Sequence, residues 1–514
     1  MKQKTKSASF TVALMIVAMI ISKFLGMLRG VLLAAKYDIS ESASAFSAAS
    51  RIPLSFFDIV FASAILGCFI PVYNSFSGDD IKKKQNEFTS VYLNFLLLLT
   101  GIVSIFGIIF ADVLIDVIAP GLLLSTKNLA VLLLRIMFPL IIFAAASYTL
   151  VGVLQSNGEF IVPAFISAVS NIIIIIYFVF FDSLWGIKGL AVFYTVSWIA
   201  QLFTLIIPII KSGYKYKTIL NFKNEGFLTA LKMTPSIMLG SWLAPLCLLI
   251  SMRFATLTKI QGAVPSFEYA VNLYTVITGI TTYGVCNYIF PKLSAKADST
   301  DNDFASMCRI GLNSALLMTI PIAASVFALA PHGIAVIYQR GSFDVSASKQ
   351  VTLILRSLVP GMIGFTLFEF LTRTFYALKK PFFCVVSVMS GIIVDLIFVY
   401  TSTEFFDGKL LSIGLGYSFG ILVAGLLLLV FAFVKIKGFV DLKYSFNIIK
   451  IFISGAASGT IMYFITHKFF STPYSTSFFM NIFNSVVVLF VGVLAYFLLL
   501  ILLRENTLLS LKKR

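Results

Sequence analysis

Residues 160–181, FIVPAFISAVSNIIIIIYFVFF, hold no charged side chain and lie between Glu159 and Asp182. A run of about 20 apolar residues rises about 30 Å as a helix, which is the thickness of a bilayer's hydrocarbon core. Lipid offers no hydrogen-bond partner to an exposed backbone, so a segment of this length and composition is forced into a helix there. Working outward, thirteen further stretches of the same character occupy 10–35, 46–72, 88–110, 129–154, 190–210, 227–250, 269–290, 310–330, 351–378, 382–399, 410–434, 448–465 and 478–503. The sequence therefore predicts an all-α integral membrane protein of about fourteen transmembrane helices joined by short polar loops.

With 59% hydrophobic and 12% charged residues over 514 positions, the chain is too apolar for a soluble enzyme. Cys68, Cys247, Cys286, Cys308 and Cys384 are scattered through apolar runs. They suggest packing residues, not a disulfide framework or a ligand cluster. His332 and His467 are the only histidines, too few for a zinc or haem site, so no metal and no cofactor is expected.

The net charge of +17 comes from basic residues in alternate loops, a signature of membrane topology that does not call for nucleic acid. Lys82, Lys83 and Lys84 form one such group, and Lys211, Lys215, Lys217 and Lys223 a second. Lys292 with Lys296, Lys379 with Lys380, and Lys435, Lys437 and Lys443 follow, and Lys512, Lys513 and Arg514 end the chain. These loops are expected to face the cytoplasm, with both termini. Lys2 to Lys6 and the run 10–35 imitate a signal peptide, but the run is too long and lacks a small-residue cleavage site; it is expected to remain as the first span.

An internal repeat is visible. Ala119 and Pro120 precede a helix with Arg135 and Pro139; Ala330 and Pro331 precede one with Arg356 and Pro360. Six spans separate the copies, and an even offset gives both the same orientation, as in carriers built from parallel repeats. The expected organisation is an N-lobe of helices 1 to 6 (1–220), a C-lobe of helices 7 to 12 (221–440), and helices 13 and 14 with a cytoplasmic tail (441–514).

An ionisable side chain inside a span costs about 2.5 to 3.5 kcal/mol on insertion scales, so it usually faces a cavity or a partner. Lys23 and Arg29 lie in the first span, Arg51 in the second and Arg253 at the end of the seventh, whereas Asp58 is almost the only acid among them. At about 100° per residue, Ser22, Gly26 and Arg29 share one helix face, as do Arg51, Ser55, Asp58 and Ala62. Facing each other, these stripes would line a wet cationic cleft suited to a diphosphate, for which arginine supplies a rigid fork of donors. The alternative is that Asp58 neutralises Arg29 or Arg51 while Arg51 and Arg253 snorkel. Glu369 and Arg373 read as an ion pair within one helix. Asp395 is an embedded carboxylate that either binds a coupling ion or pairs with Arg373 or Arg356.

Several motifs resemble the MurJ (MviN) family of lipid II flippases, within the multidrug/oligosaccharidyl-lipid/polysaccharide exporter superfamily. Ser22-Lys23-Phe24-Leu25-Gly26-Met27-Leu28-Arg29 is similar to the family's S-R-x-L-G-x-x-R, and Arg51-Ile52-Pro53 followed by Pro71 keeps its R-I-P to F-V-P interval. Gln339-Arg340-Gly341-Ser342-Phe343 resembles its E-R-G-A-F loop, and Arg373 to Leu378 with Pro381 its R-A-F-Y-A-L segment. Departures are Gly30 and Ser44 in place of family acids, Phe57-Asp58 in place of a basic pair, and Tyr269-Ala270-Val271-Asn272-Leu273 in place of Y-A-D-R-L.

The resemblance implies a flippase that moves a polyprenyl-diphosphate-linked cell-wall precursor, lipid II, across a bacterial cytoplasmic membrane by alternating access and makes or breaks no bond. It implies that Lys23, Arg29, Arg51 and Arg253, with Ser22 and Asn272, engage the diphosphate and head group. The prenyl tail would stay in lipid, in the groove of helices 13 and 14. Asp58 and Asp395 are candidate coupling or charge-partner residues for a membrane potential or a monovalent ion. Expected partners are the lipid-linked saccharide, the bilayer and other cell-wall synthesis proteins. The rivals are a flippase for another lipid-linked oligosaccharide, a multidrug exporter of the same superfamily, a membrane glycosyltransferase using Asp38 and Glu41, and a noncatalytic cell-wall scaffold.

Overall fold

A computed structural model describes residues 8–62, 65–295, 301–405, 409–439 and 441–505. Lys2 to Lys6, Lys296, Lys512, Lys513 and Arg514, to which the charge pattern assigns a side, lie outside the described residues. Among the described residues the regular structure is entirely helical, as a backbone in lipid requires. Among the same described residues, twelve helices are long and apolar enough to cross a membrane. The expected seventh span is present as two helices broken near Trp242, and the eighth as a helix over Ala263–Ala295, so the all-α membrane architecture of about fourteen spans stands.

The chain divides into two compact units, one of residues up to Leu33 with Ser40–Leu249, the other of Ala34–Ile39 with Ile250 onward. The first unit holds α1 (Ala8–Tyr37, to Leu33), α2 (Glu41–Phe57), α3 (Ile70–Ser75), α4 (Ile81–Ile109), α5 (Ala111–Ile118), α6 (Leu124–Met137), α7 (Leu140–Ser156), α8 (Ile161–Phe180), α9 (Asp182–Lys211) and α10 (Glu225–Ser241). Between α2 and α3 the helix widens into π-helical turns at Asp58–Ala62 and Ile65–Phe69, a geometry that disturbs the backbone ladder. In the first of these turns, Trp242 Nε1 donates to the Ile59 carbonyl at 3.0 Å. Gly67 admits α10, since a methyl there would lie 2.7 Å from Ile237 Cγ2. Buried Phe57, Phe61, Phe69 and Phe88 fill the core beside it, with Phe69 stacked on Phe88 at 5.1 Å.

Loops expected on a common side meet in this unit. Lys82 Nζ donates to Asn157 Oδ1 at 3.0 Å, and Asn94 Nδ2 to the Lys217 carbonyl at 2.9 Å. At the other end, Glu41 accepts from Thr126 Oγ1 at 2.9 Å. That bond ties the acid that the glycosyltransferase rival would use to the first turn of α6.

α11 (Leu243–Leu257) leads into the second unit, which holds α12 (Ala263–Ala295), α13 (Asp301–Ile337), α14 (Val345–Ala377), α15 (Phe382–Phe405), α16 (Lys409–Lys435), α17 (Leu442–Phe469) and α18 (Phe478–Leu502). Small residues bring α14 and α16 together: a methyl on Gly364 would meet Leu422 Cα at 2.5 Å, and Ser418 Oγ donates to the Ser357 carbonyl at 2.7 Å. Arg309 bonds the Gly438 carbonyl at 2.9 Å and Asp441 at 3.3 Å, and Gln339 Nε2 bonds the Tyr474 carbonyl at 2.8 Å. The Arg309 contacts again join loops that the charge pattern groups together.

The Gln339–Phe343 motif is a latch inside this unit. Ser342 N donates to the Ala35 carbonyl at 2.9 Å, Gly341 takes φ 60°, and any Cβ there would collide with that carbonyl. Only glycine combines this conformation with so close an approach. Phe343 packs on Tyr269 and Tyr338, and Tyr269 Oη donates to the Asp38 carbonyl at 2.9 Å.

Candidate functional site

On α1 the polar face read from the sequence has two destinations. Ser22 Oγ donates to the Ala164 carbonyl and Asn171 Nδ2 to the Ser22 carbonyl, both at 3.2 Å; a methyl on Gly26 would lie 3.3 Å from Asn171 Nδ2. Ser22 and Gly26 thus seat α1 on α8. One turn further, the half-buried Arg29 guanidinium stands 5.7 Å from the centroid of the Tyr194 ring on α9. That ring meets Phe46 of α2 edge-on at 5.7 Å. Tyr194 therefore links the arginine of α1 to the start of α2. Lys23 is half-buried between these two contacts in sequence.

On α2, Arg51 is half-buried and Asp58 exposed, and the charge of Arg51 acts on the Asp58 carboxylate. Asp58 opens the first π-helical turn, beside Tyr148 of α7, which packs on Phe57 at 5.1 Å. The widened turn sits where a charged group leaves the α-helix.

In the second unit, Arg253 is half-buried on α11 and its carbonyl accepts from Thr256 Oγ1 at 2.7 Å. Asn272 is half-buried on α12, with Thr275 Oγ1 donating to its carbonyl at 3.0 Å. Asp395 is fully buried on α15, and a methyl on Gly416 of α16 would lie 2.8 Å from its Oδ1. Arg373 grips Glu369 through Nη2 at 2.8 Å and Nε at 3.0 Å, the intrahelical pair expected from their spacing. All five cysteines are free and buried. No group of three or more His, Cys, Asp or Glu able to hold a metal ion occurs among the described residues.

Sequence reasoning missed two features. Tyr194 and Asn171, which position Arg29 and Ser22, lie far off in sequence and carry no local signal. An apolar cavity of about 530 Å³ in the second unit, lined by Leu273, Ile277, Leu317, Leu329, Val493 and Tyr496, brings together α12, α13, α14 and α18. Each of those helices looks uniformly hydrophobic when read alone.

Many spans, ionisable groups held within them and an apolar cavity define a polytopic membrane transporter. A family model described as "Lipid II flippase MurJ" matches residues 39–505. The chain belongs to this family. It is 28% identical over 369 residues to a probable lipid II flippase MurJ of Buchnera aphidicola subsp. Schizaphis graminum, covering 70% of this chain and 71% of that one. It is also 28% identical over 415 residues to the lipid II flippase MurJ of Burkholderia cenocepacia, covering 77% and 79%. A solved structure titled lipid II flippase MurJ, inward closed conformation, shares the fold with a TM-score of 0.78 at 22% identity, over 96% of this chain and 99% of that one.

Proposed function

We propose that the chain translocates lipid II, a polyprenyl-diphosphate-linked cell-wall precursor, from the cytoplasmic to the outer leaflet of a bacterial inner membrane by alternating access. Family membership over residues 39–505 carries this reading. The half-buried cations inside the spans of the first unit give it chemistry. Lys23 and Arg29 on α1 and Arg51 on α2 engage the diphosphate. A cation in a poorly hydrated site binds such a group through charge-assisted hydrogen bonds, and the planar guanidinium can do so in a bidentate way. Tyr194 holds Arg29 in place from its ring face. The 530 Å³ apolar cavity suits part of a prenyl chain. Both termini face the cytoplasm, as the basic loops favour. Asp58 tempers Arg51, and Asp58 and Asp395 are the groups through which a potential or a monovalent ion would act.

The test is complementation of a strain depleted of its own lipid II flippase. The parent chain restores growth, whereas Arg29→Ala and Arg51→Ala fail at equal membrane levels. Arg253→Ala, Asn272→Ala and Ser22→Ala extend the same assay to the other assigned residues. A well-expressed parent that does not restore growth rejects lipid II as cargo, and an Arg29→Ala/Arg51→Ala double variant that restores it fully moves the site elsewhere. Translocation that is unchanged when the membrane potential is collapsed removes voltage coupling.

A further inference from the structure

A second cavity, polar and of about 360 Å³, lies in the second unit where α13 and α17 end and α14 begins, with Lys349, Thr352, Arg356, His332, His467 and Tyr474 in its wall. Arg356 and Lys349 bring two basic side chains to it, and no carboxylate lines the cavity among the described residues. Arg356 is fixed there: its Nε donates to the Phe327 carbonyl at 3.0 Å, and its guanidinium stands 5.4 Å from the Phe327 ring centroid and 5.7 Å from that of Tyr463. Tyr474 Oη donates to Thr352 Oγ1 at 2.9 Å and so holds the loop after α17 over the cavity.

Deeper along the same three helices lies an apolar slot of about 400 Å³, lined by Ile320, Ala324, Ile363, Phe452, Gly455 and Gly459. Tyr463 lines both spaces, so the charged one adjoins the apolar one. Lys349 is near the start of α14 and His467 in the last turn of α17. The charged end therefore falls at the membrane–water interface and the slot in the hydrocarbon. The slot is distinct from the 530 Å³ cavity, whose walls come from α12, α13, α14 and α18.

A cationic head pocket at interface depth beside an apolar slot in the hydrocarbon is complementary to an anionic amphiphile, and basic pockets between spanning helices take phosphorylated lipid head groups. We propose that this groove is a resident site for one anionic phospholipid. Its phosphate is held by Arg356 and Lys349, and one acyl chain lies along Gly455, Gly459 and Ile363. The assignment is independent of the transported cargo.

The test uses the full chain, purified and mixed with equal mole fractions of dioleoyl phosphatidylglycerol and dioleoyl phosphatidylcholine, whose tails are identical, with retained lipid counted by native mass spectrometry. The parent retains phosphatidylglycerol about tenfold more, and Arg356→Gln with Lys349→Gln abolishes the preference. Lys349 is exposed. If the double variant does not fold, Lys349→Gln alone decides, with an expected loss of about fivefold. Ala456→Phe, at an exposed position on the slot wall, lowers retention of both lipids. Equal retention of the two lipids by the parent, or a preference that survives in the variants, overturns the site. Inorganic phosphate that displaces the lipid completely at millimolar concentration shows an ion pocket without a tail slot and also overturns it.

Discussion

Arg135 and Arg356 stand at the same step of a repeated Arg-x-x-x-Pro pattern, and each directs its Nε to a carbonyl on a preceding helix. Arg135 reaches Ile108 at 3.3 Å, and Arg356 reaches Phe327 at 3.0 Å. Beyond that bond their surroundings part. Arg135 is exposed on the surface of the first unit. Arg356 is walled by Phe327 of α13 and by Tyr463 of α17, a helix that follows both copies of the motif in the chain. One local pattern thus yields an outward anchor in one unit and the base of a cavity in the other. The difference lies in what the additional helix brings, and the arginine motif itself does not encode it.

The sharpest way to break this contrast is to lift α17 off α13. Gly455→Val would drive its side chain into the buried, β-branched Ile320. It should cost about 3 kcal/mol, the upper range for overpacking, read as a lowered midpoint of thermal unfolding in detergent. Arg356→Ala removes a charge-assisted hydrogen bond and two ring contacts and should cost about 2 kcal/mol. Tyr463→Leu keeps the hydrogen bond and strips one wall, for about 1 kcal/mol by the same assay. Arg135→Ala, at an exposed site, should change stability by no more than about 0.5 kcal/mol. Equal costs for the two arginine variants would mean that the aromatic walls contribute nothing and the two sites are alike.

The spans were legible because a bilayer imposes one length on every crossing, so composition over a window of about 20 residues suffices. The helix ends were less so. The ninth span, read as 310–330, is helical from Asp301 to Ile337. Charged turns leave the hydrocarbon without leaving the helix, and Arg309 is held there by Gly438 and Asp441. The π-helical turns at Asp58–Ala62 and Ile65–Phe69 were not legible, since what meets them is Trp242 and Ile237, remote in sequence. For the candidate site, helical spacing placed Ser22, Gly26 and Arg29 on one face. It did not reveal that Asn171 and Tyr194 divide that face into a packing half and a cationic half. The Glu369–Arg373 pair was readable because both partners sit on one helix, four residues apart.

All five native thiols are enclosed in the protein. The unaltered sequence therefore serves as its own low-background parent for site-directed labelling: a single cysteine introduced at Lys349, exposed in the wall of the polar cavity, would stand out to a maleimide dye. The accessibility of that cavity during turnover can then be followed in membranes without first rebuilding the interior.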